Sequence, residues 1–205
     1  HTADQRHTVT IAIKPQGLVS DYLTKQIPLA SVVDTSLPLG HFTLEQTSIL
    51  RQQISDNKQP SPLLFIASGS GITPMLGLIT QALSSGHQVT LLHYSRTVSS
   101  KLQHQWQQLN DTHPDFIYHL IHTEDPTTYL AGTRYLSVEG LLSLNLPLAD
   151  TQIFACGSQA LLAGLYKAAA EITPTDEQLR DNIIVENFGN ALANVDNDSN
   201  QIFDK

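Results

Sequence analysis

The residues best placed to do chemistry crowd into one short loop. Leu63 to Pro74 reads Leu-Leu-Phe-Ile-Ala-Ser-Gly-Ser-Gly-Ile-Thr-Pro, an apolar run that stops at a glycine-rich turn and then opens into a helix. Gly69 and Gly71 can take backbone angles that other residues avoid, and they let a bulky anion approach the main chain. Pro74 suits a first helical turn, where its missing N–H is not needed. The free amides of that turn and the positive end of the helix dipole then face Gly69, Ser70, Gly71 and Thr73, which makes a pocket for phosphate.

The spacing excludes three commoner loops. A nucleoside-triphosphate loop needs Lys and then Ser or Thr after its last glycine, where Ile72 and Thr73 stand. A nucleophile elbow needs glycine two places either side of its serine, and Ser70 has Ser68 and Ile72 there. The usual dinucleotide fingerprint needs a third glycine deeper in the helix, and Gly71 is followed by Ile72, Thr73 and Pro74. A less common strand-loop-helix phosphate site and a plain glycine turn both remain open.

Two further strand ends carry chemistry. Leu91 to Tyr94 runs into Ser95-Arg96-Thr97, and Ile153 to Ala155 runs into Cys156-Gly157-Ser158. The end of the second strand in a dinucleotide site commonly meets the adenosine ribose. An acid there selects the free 2′-hydroxyl, whereas Arg with small hydroxyl donors holds a 2′-phosphate. Ser95 and Arg96 therefore favour NADPH over NADH; the alternative for Arg96 is a solvated surface arginine. Gly157 lets the backbone approach a flat ligand. Cys156 is the only cysteine, and with no base nearby in sequence it reads as lining a nicotinamide pocket rather than as a covalent nucleophile. The nine histidines are scattered, with only His119 and His122 three apart, and read as surface residues; no metal site is expected.

The elements that must position these residues alternate as strand and helix. The pattern predicts helix from Ile72 to Leu83, strand from Gln88 to Tyr94 and helix from Lys101 to Leu109. It continues with strand from Phe116 to Ile121, a short helical turn within Leu136 to Leu144, and strand from Gln152 to Ala155. Helix from Gln159 to Glu171 and strand from Asn182 to Glu186 close the series. The fold expected is α/β, a doubly wound five-stranded parallel sheet, with the ligand at the carboxyl ends of the strands. Before it, Thr8 to Lys14, Val32 to Thr35 and His41 to Leu44 read as strands, and Gly17 to Leu23 as a turn entering a helix. That is too few strands for a closed sheet. The expected division is 1–58 as the end of a β-rich domain, 59–188 as the nucleotide-binding domain and 189–205 as a polar linker or tail.

Composition narrows the classes. A chain of 205 residues can bury a substantial core, and a mean hydropathy of −0.12 is that of an ordinary soluble protein. The net charge of −8 argues against a nucleic-acid partner. No run approaches the roughly 20 apolar residues of a membrane helix, and a single cysteine forms no disulfide within the chain, which points to a cytoplasmic setting. The chain begins at His1 without methionine and is expected to be a piece of a longer protein.

Together these segments resemble the ferredoxin–NADP reductase superfamily, in particular bacterial reductases that feed electrons to oxygenases and desaturases. Ser68 to Pro74 resembles that family's Gly-x-Gly-x-Thr-Pro loop, with serine in place of a common glycine at 68. Ala155 to Ser158 resembles its Cys-Gly-Pro element, with serine for proline at 158. Tyr94 to Thr97 is similar to the segment at the adenosine 2′ end. Gly17 to Leu23 resembles the segment whose backbone and serine hold the flavin pyrophosphate, Leu37 to Phe42 the turn that ends the flavin domain, and Val185 to Gly189 a Glu-x-Phe element close to the flavin. The family's Arg-x-Tyr-Ser motif is not supplied by His1 to Arg6, so on this resemblance half of an antiparallel flavin barrel is missing.

The resemblance implies FAD and NADPH as cofactors, with Leu18, Val19, Ser20 and Phe188 toward FAD. The pyrophosphate would lie on Gly69, Ser70, Gly71, Thr73 and Pro74, the 2′-phosphate near Ser95 and Arg96, and the nicotinamide between Thr73 and the Cys156-Gly157-Ser158 turn. Thr73 and Cys156 would then flank hydride transfer to the flavin, which passes single electrons to a ferredoxin-type iron–sulfur partner, either a separate protein or a domain fused downstream. The rival readings are a nucleotide-binding regulatory module without redox activity, and a fragment too incomplete to hold flavin.

Overall fold

The computed structural model describes residues 11, 13, 15, 17–35, 40–44, 60–97, 100–173 and 178–187. The chain divides into two compact units, His1–Gly40 and His41–Lys205. This division comes earlier than the boundary near residue 58 expected from composition. Phe42 meets Phe154 edge-on at 5.6 Å between ring centroids, and Leu44 is buried, so both belong to the core of the second unit.

In the first unit the described element is α1, Leu18–Lys25. Its start is fixed locally: Gly17 N–H donates to Ser20 Oγ at 3.0 Å, and Ser20 Oγ donates back to the Gly17 carbonyl at 3.0 Å. Lys25 pairs with Asp21 one turn away at 2.7 Å, an exposed pair that contributes little. Two expected strands do not form. Residues 31–35 are exposed and irregular, and His41 to Leu44 makes a turn in which Thr43 N–H reaches the His41 carbonyl at 2.8 Å. Alternation of apolar residues favours a strand only where a neighbouring strand supplies the ladder, and no described residue before Leu63 is in a strand. Most of the Thr8 to Lys14 segment, the 189–205 tail and Phe188 lie outside the described residues.

The second unit carries the expected architecture. Its strands are β1 Leu63–Ser68, β2 Val89–Ser95, β3 Phe116–His122, β4 Gln152–Gly157 and β5 Ile183–Asn187, in the order β3-β2-β1-β4-β5 with every neighbouring pair parallel. The helices are α2 Met75–Ser84, α3 Ser100–Thr112, α4 Val138–Leu142, α5 Gln159–Ile172 and α6 Gln178–Asp181. Leu63, Phe65 and Ala67 turn to the face covered by α2 and by Trp106 of α3. Leu64 and Ile66 turn to the opposite face, under Leu141 of α4, Leu161, Leu162 and Leu165 of α5, and Leu179 of α6. This two-sided burial is why β1 reads as an unbroken apolar run. Phe65 stacks on Phe154 at 5.1 Å, which ties β1 to β4 in the middle of their ladder.

Two histidines read as surface residues are buried instead. His87 Nδ1 lies 2.9 Å from the Ser61 carbonyl, and His93, in the middle of β2, lies 3.1 Å from the Tyr118 hydroxyl. The strand's two covered faces leave a side chain at position 93 nowhere else to go. Burial pushes His93 down from 6.5 to about 4. The unfolded chain therefore takes up this proton near pH 6.5 while the folded chain resists it to about pH 4. Stability is expected to fall as pH drops through that window, by of order 3 kcal/mol. His93→Gln keeps a partner for Tyr118 and has no proton to gain, so its urea midpoint should lose less between pH 7 and pH 4.5 than that of the parent. Equal losses would place the acid sensitivity elsewhere.

Candidate functional site

The order β3-β2-β1-β4-β5 reverses direction between β1 and β4. In open parallel sheets the crevice beyond the carboxyl ends at this point is where ligands bind. The glycine-rich loop leaves β1 on one side of it and the Cys156-Gly157-Ser158 turn leaves β4 on the other.

The loop is built by its own residues. Ser68 is still extended (φ −132°, ψ 138°), Gly69 turns left-handed (φ +55°), and Gly69–Ile72 forms a single 3₁₀ turn. Thr73 locks that turn, its N–H and Oγ1 both donating to the Ser70 carbonyl at 3.1 and 3.0 Å. Pro74 stands immediately before α2, at its N-cap, and no side chain caps the helix. The first-turn amides of α2, which have no intrahelical acceptor, are thus left toward the loop.

The two glycines serve different ends. A Cβ at Gly69 would meet nothing within 4 Å, so this glycine is needed for its backbone angle and leaves the main chain open to an anion. A Cβ at Gly71 would fall on the Cys156 carbonyl, so Gly71 lets the loop close on β4. Gly157 is constrained in the same way, because a Cβ there would fall on Ser68 Oγ. Ser158 N-caps α5, its Oγ accepting from Leu161 N–H at 3.3 Å. The structure thus brings the Ser68 to Thr73 loop directly against Cys156, Gly157 and Ser158.

The adenosine end expected from the sequence lies beside this loop. Ser68 pairs with Tyr94 in the β1–β2 register, so Ser95 and Arg96 follow on the adjacent strand end. Ser95 Oγ donates to the Thr97 carbonyl at 2.7 Å, which closes the turn and uses its proton. Arg96 is exposed and forms no ion pair among the described residues. Glu124, just beyond β3, is already paired with Arg134 at 2.8 Å.

Residues 65–167 match the family described as the oxidoreductase NAD-binding domain. The chain belongs to that family, within the ferredoxin–NADP reductase superfamily.

Relatives of this chain include flavohemoproteins and the reductase component of a dioxygenase system. A flavohemoprotein of Burkholderia sp. is 22% identical over 194 residues, covering 92% of this chain and 45% of the relative. The ferredoxin–NAD(P)(+) reductase component of the naphthalene 1,2-dioxygenase system of Pseudomonas putida is 26% identical over 180 residues, covering 86% and 51%. The chain thus spans about half the length of these relatives. Among solved structures, a flavohemoglobin from Malassezia yamatoensis with bound FAD and heme superimposes with a TM-score of 0.61 at 20% identity, over 87% of this chain and 43% of that one. That likeness supports the fold.

Within the NAD-binding domain, Cys156 is fully buried in the core beneath α2. Burial, and then the charge of Glu186, pushes its thiol up to about 12. It stays protonated at neutral pH and is no nucleophile. Glu186, the register partner of Cys156 on β5, is the acid of the Glu-x-Phe element that the resemblance puts close to the flavin. Ser68 opens the glycine loop, and its hydroxyl is the group that Gly157 makes room for. What sequence spacing does not reveal is the strand pairing that sets Glu186 beside Cys156 and Ser68 beside Gly157. Leu18 and Val19 lie exposed at the start of α1 in the first unit, and the Ser20 hydroxyl is engaged with Gly17. Phe188 lies outside the described residues.

Proposed function

We propose that this chain is the nicotinamide-nucleotide part of a flavin-dependent reductase that uses NADPH in preference to NADH. The observation that carries this reading is the close approach of the Gly69–Ile72 turn to the β4 end, with open space over Gly69 for a pyrophosphate. The donor set fits the nucleotide: loop and α2 amides for the pyrophosphate, Arg96 beside Ser95 for the 2′-phosphate, and Thr73 and Ser158 exposed on either side of the crevice for the nicotinamide end. Cys156 shapes the floor beneath that end, with its thiol held protonated.

For FAD, the fitting residues are Gly17, with open space around it, and the amides of Leu18 and Val19, which as the first of α1 have no intrahelical acceptor. Ser20 holds that helix start, and Phe188 belongs to the same reading. Residues up to about 58 would then be the C-terminal part of a FAD-binding barrel domain, 59–188 the NAD(P)H domain, and 189–205 a linker or tail. When bound, the cofactors supply the redox chemistry, hydride from the nicotinamide to the flavin and then single electrons to a ferredoxin-type iron–sulfur partner. The chain's own residues bind and orient. A cytoplasmic setting suits an enzyme with one enclosed thiol.

The test is a pair of titrations. NADPH should saturate this chain with a rise in nicotinamide fluorescence, and in the flavin-loaded full-length protein, without oxygen, it should bleach the flavin band. Failure of the first overturns the nucleotide reading. Saturable binding in a full-length protein that holds no flavin would favour a regulatory nucleotide-binding module.

A further inference from the structure

The β1–β4 ladder ends at the Ala67–Cys156 pair. Beyond it β1 runs into the glycine loop and β4 into the turn before α5. One hydrogen bond crosses the gap just past the last paired residues: Ser158 N–H donates to Ser68 Oγ at 3.1 Å. The residue between them on the β4 side is Gly157, whose missing Cβ makes room for that hydroxyl. Its neighbour Ser158 is tied on both sides, its N–H to Ser68 and its Oγ to Leu161 N–H at the start of α5.

We propose that Ser68 is a positioning residue whose hydroxyl latches Ser158, fixing the loop against the β4 turn so that the nicotinamide end of a bound dinucleotide is held in place. The proposal rests on the nucleotide reading above. Because the Ser68 oxygen accepts from Ser158, its own proton points elsewhere, and no described residue takes it. That leaves a hydroxyl donor at the partly exposed mouth of the crevice. The adenosine end, at Ser95 and Arg96, lies on the far side of β1 from β4. The latch should therefore act on one half of the ligand only.

Ser158 offers a second handle, since its φ of −71° is one that proline adopts. Proline there deletes the donor and points its ring at Ser68 Oγ, so Ser158→Pro should be harmful while Ser68 is present and better tolerated with Ser68→Gly. The experiment measures binding of NADPH and of adenosine 2′,5′-bisphosphate, which lacks the nicotinamide half, to the parent chain, Ser68→Gly, Ser68→Thr, Ser158→Pro and the double variant Ser68→Gly/Ser158→Pro. Ser68→Gly should weaken NADPH about fivefold, the worth of one neutral hydrogen bond, and leave the bisphosphate within about twofold. Ser68→Thr, which keeps the oxygen, should restore NADPH binding, and the double variant should bind NADPH more tightly than Ser158→Pro. Unchanged NADPH binding in Ser68→Gly, or an equal loss for both compounds, overturns the latch while leaving the nucleotide reading intact. A parent chain that binds neither compound overturns the nucleotide reading and the positioning role with it.

Discussion

Gly71→Ala is expected to destabilise the second unit by about 3 kcal/mol and to remove nucleotide binding, whereas Gly69→Ala two residues earlier should cost about 1 kcal/mol. The contrast follows from what each glycine meets. At position 71 the new methyl would land on the carbonyl of Cys156. That carbonyl is main chain, held in β4 by pairing on both sides, so it cannot swing away as a flexible side chain would. Relief requires the loop to lift off the sheet, which would carry the glycine loop and the free α2 amides away from the proposed pyrophosphate position. At position 69 the methyl meets open space, and the cost is the left-handed backbone at φ +55° alone. Urea unfolding and NADPH titration of the two variants separate these causes. If Gly71→Ala proves no less stable than Gly69→Ala, the close approach of loop to strand is not what holds the crevice.

The same pair shows what the sequence could and could not reveal. Glycines at 69 and 71 are visible as loop residues after an apolar run, and a phosphate-facing role for both is the natural reading. That Gly71 yields to a carbonyl from a strand far along the chain is a fact about pairing, which no local spacing carries. The parallel sheet itself was legible because β1, β2 and β4 are covered on both faces, so burial writes itself into the sequence as continuous apolar stretches separated by helices. His93 escaped this logic only because its type outweighed its setting. It stands between Leu92 and Tyr94 in a run that is otherwise apolar, and the run decides its burial.

The front of the chain failed for a different reason. Val32 and Val33 are adjacent β-branched residues that pair with no strand among the described residues, and both are exposed. Phe42 and Leu44 have strand spacing, yet they act as anchors on the face of a sheet formed by other residues. Period-two patterning marks which side chains seek burial together. It does not say whether a ladder or a packed turn will bury them.

Arg96→Ala should weaken NADPH tenfold to a hundredfold, at about 1.5–3 kcal/mol for hydrogen bonds to a charged group, while NADH stays within about twofold. The side chains around position 96 leave Arg96 as the main donor for a 2′-phosphate. Ser95 spends its hydroxyl proton on the Thr97 carbonyl, so Ser95→Ala should have a small effect beside it. The nearby acid Glu124 is neutralised by Arg134, whose guanidinium also lies 5.4 Å from the centre of the Tyr135 ring, so it does not cancel the charge of Arg96. Arg96 is exposed, and its attraction for the phosphate should be screened by salt. Raising ionic strength should therefore erode the preference for NADPH over NADH in the parent and leave the Arg96→Ala ratio flat. Arg96→Lys keeps the charge without the planar fork and should fall between the two. The readout is the ratio of the two nucleotide affinities at low and high salt; equal losses for NADPH and NADH would move the 2′-phosphate away from the end of β2.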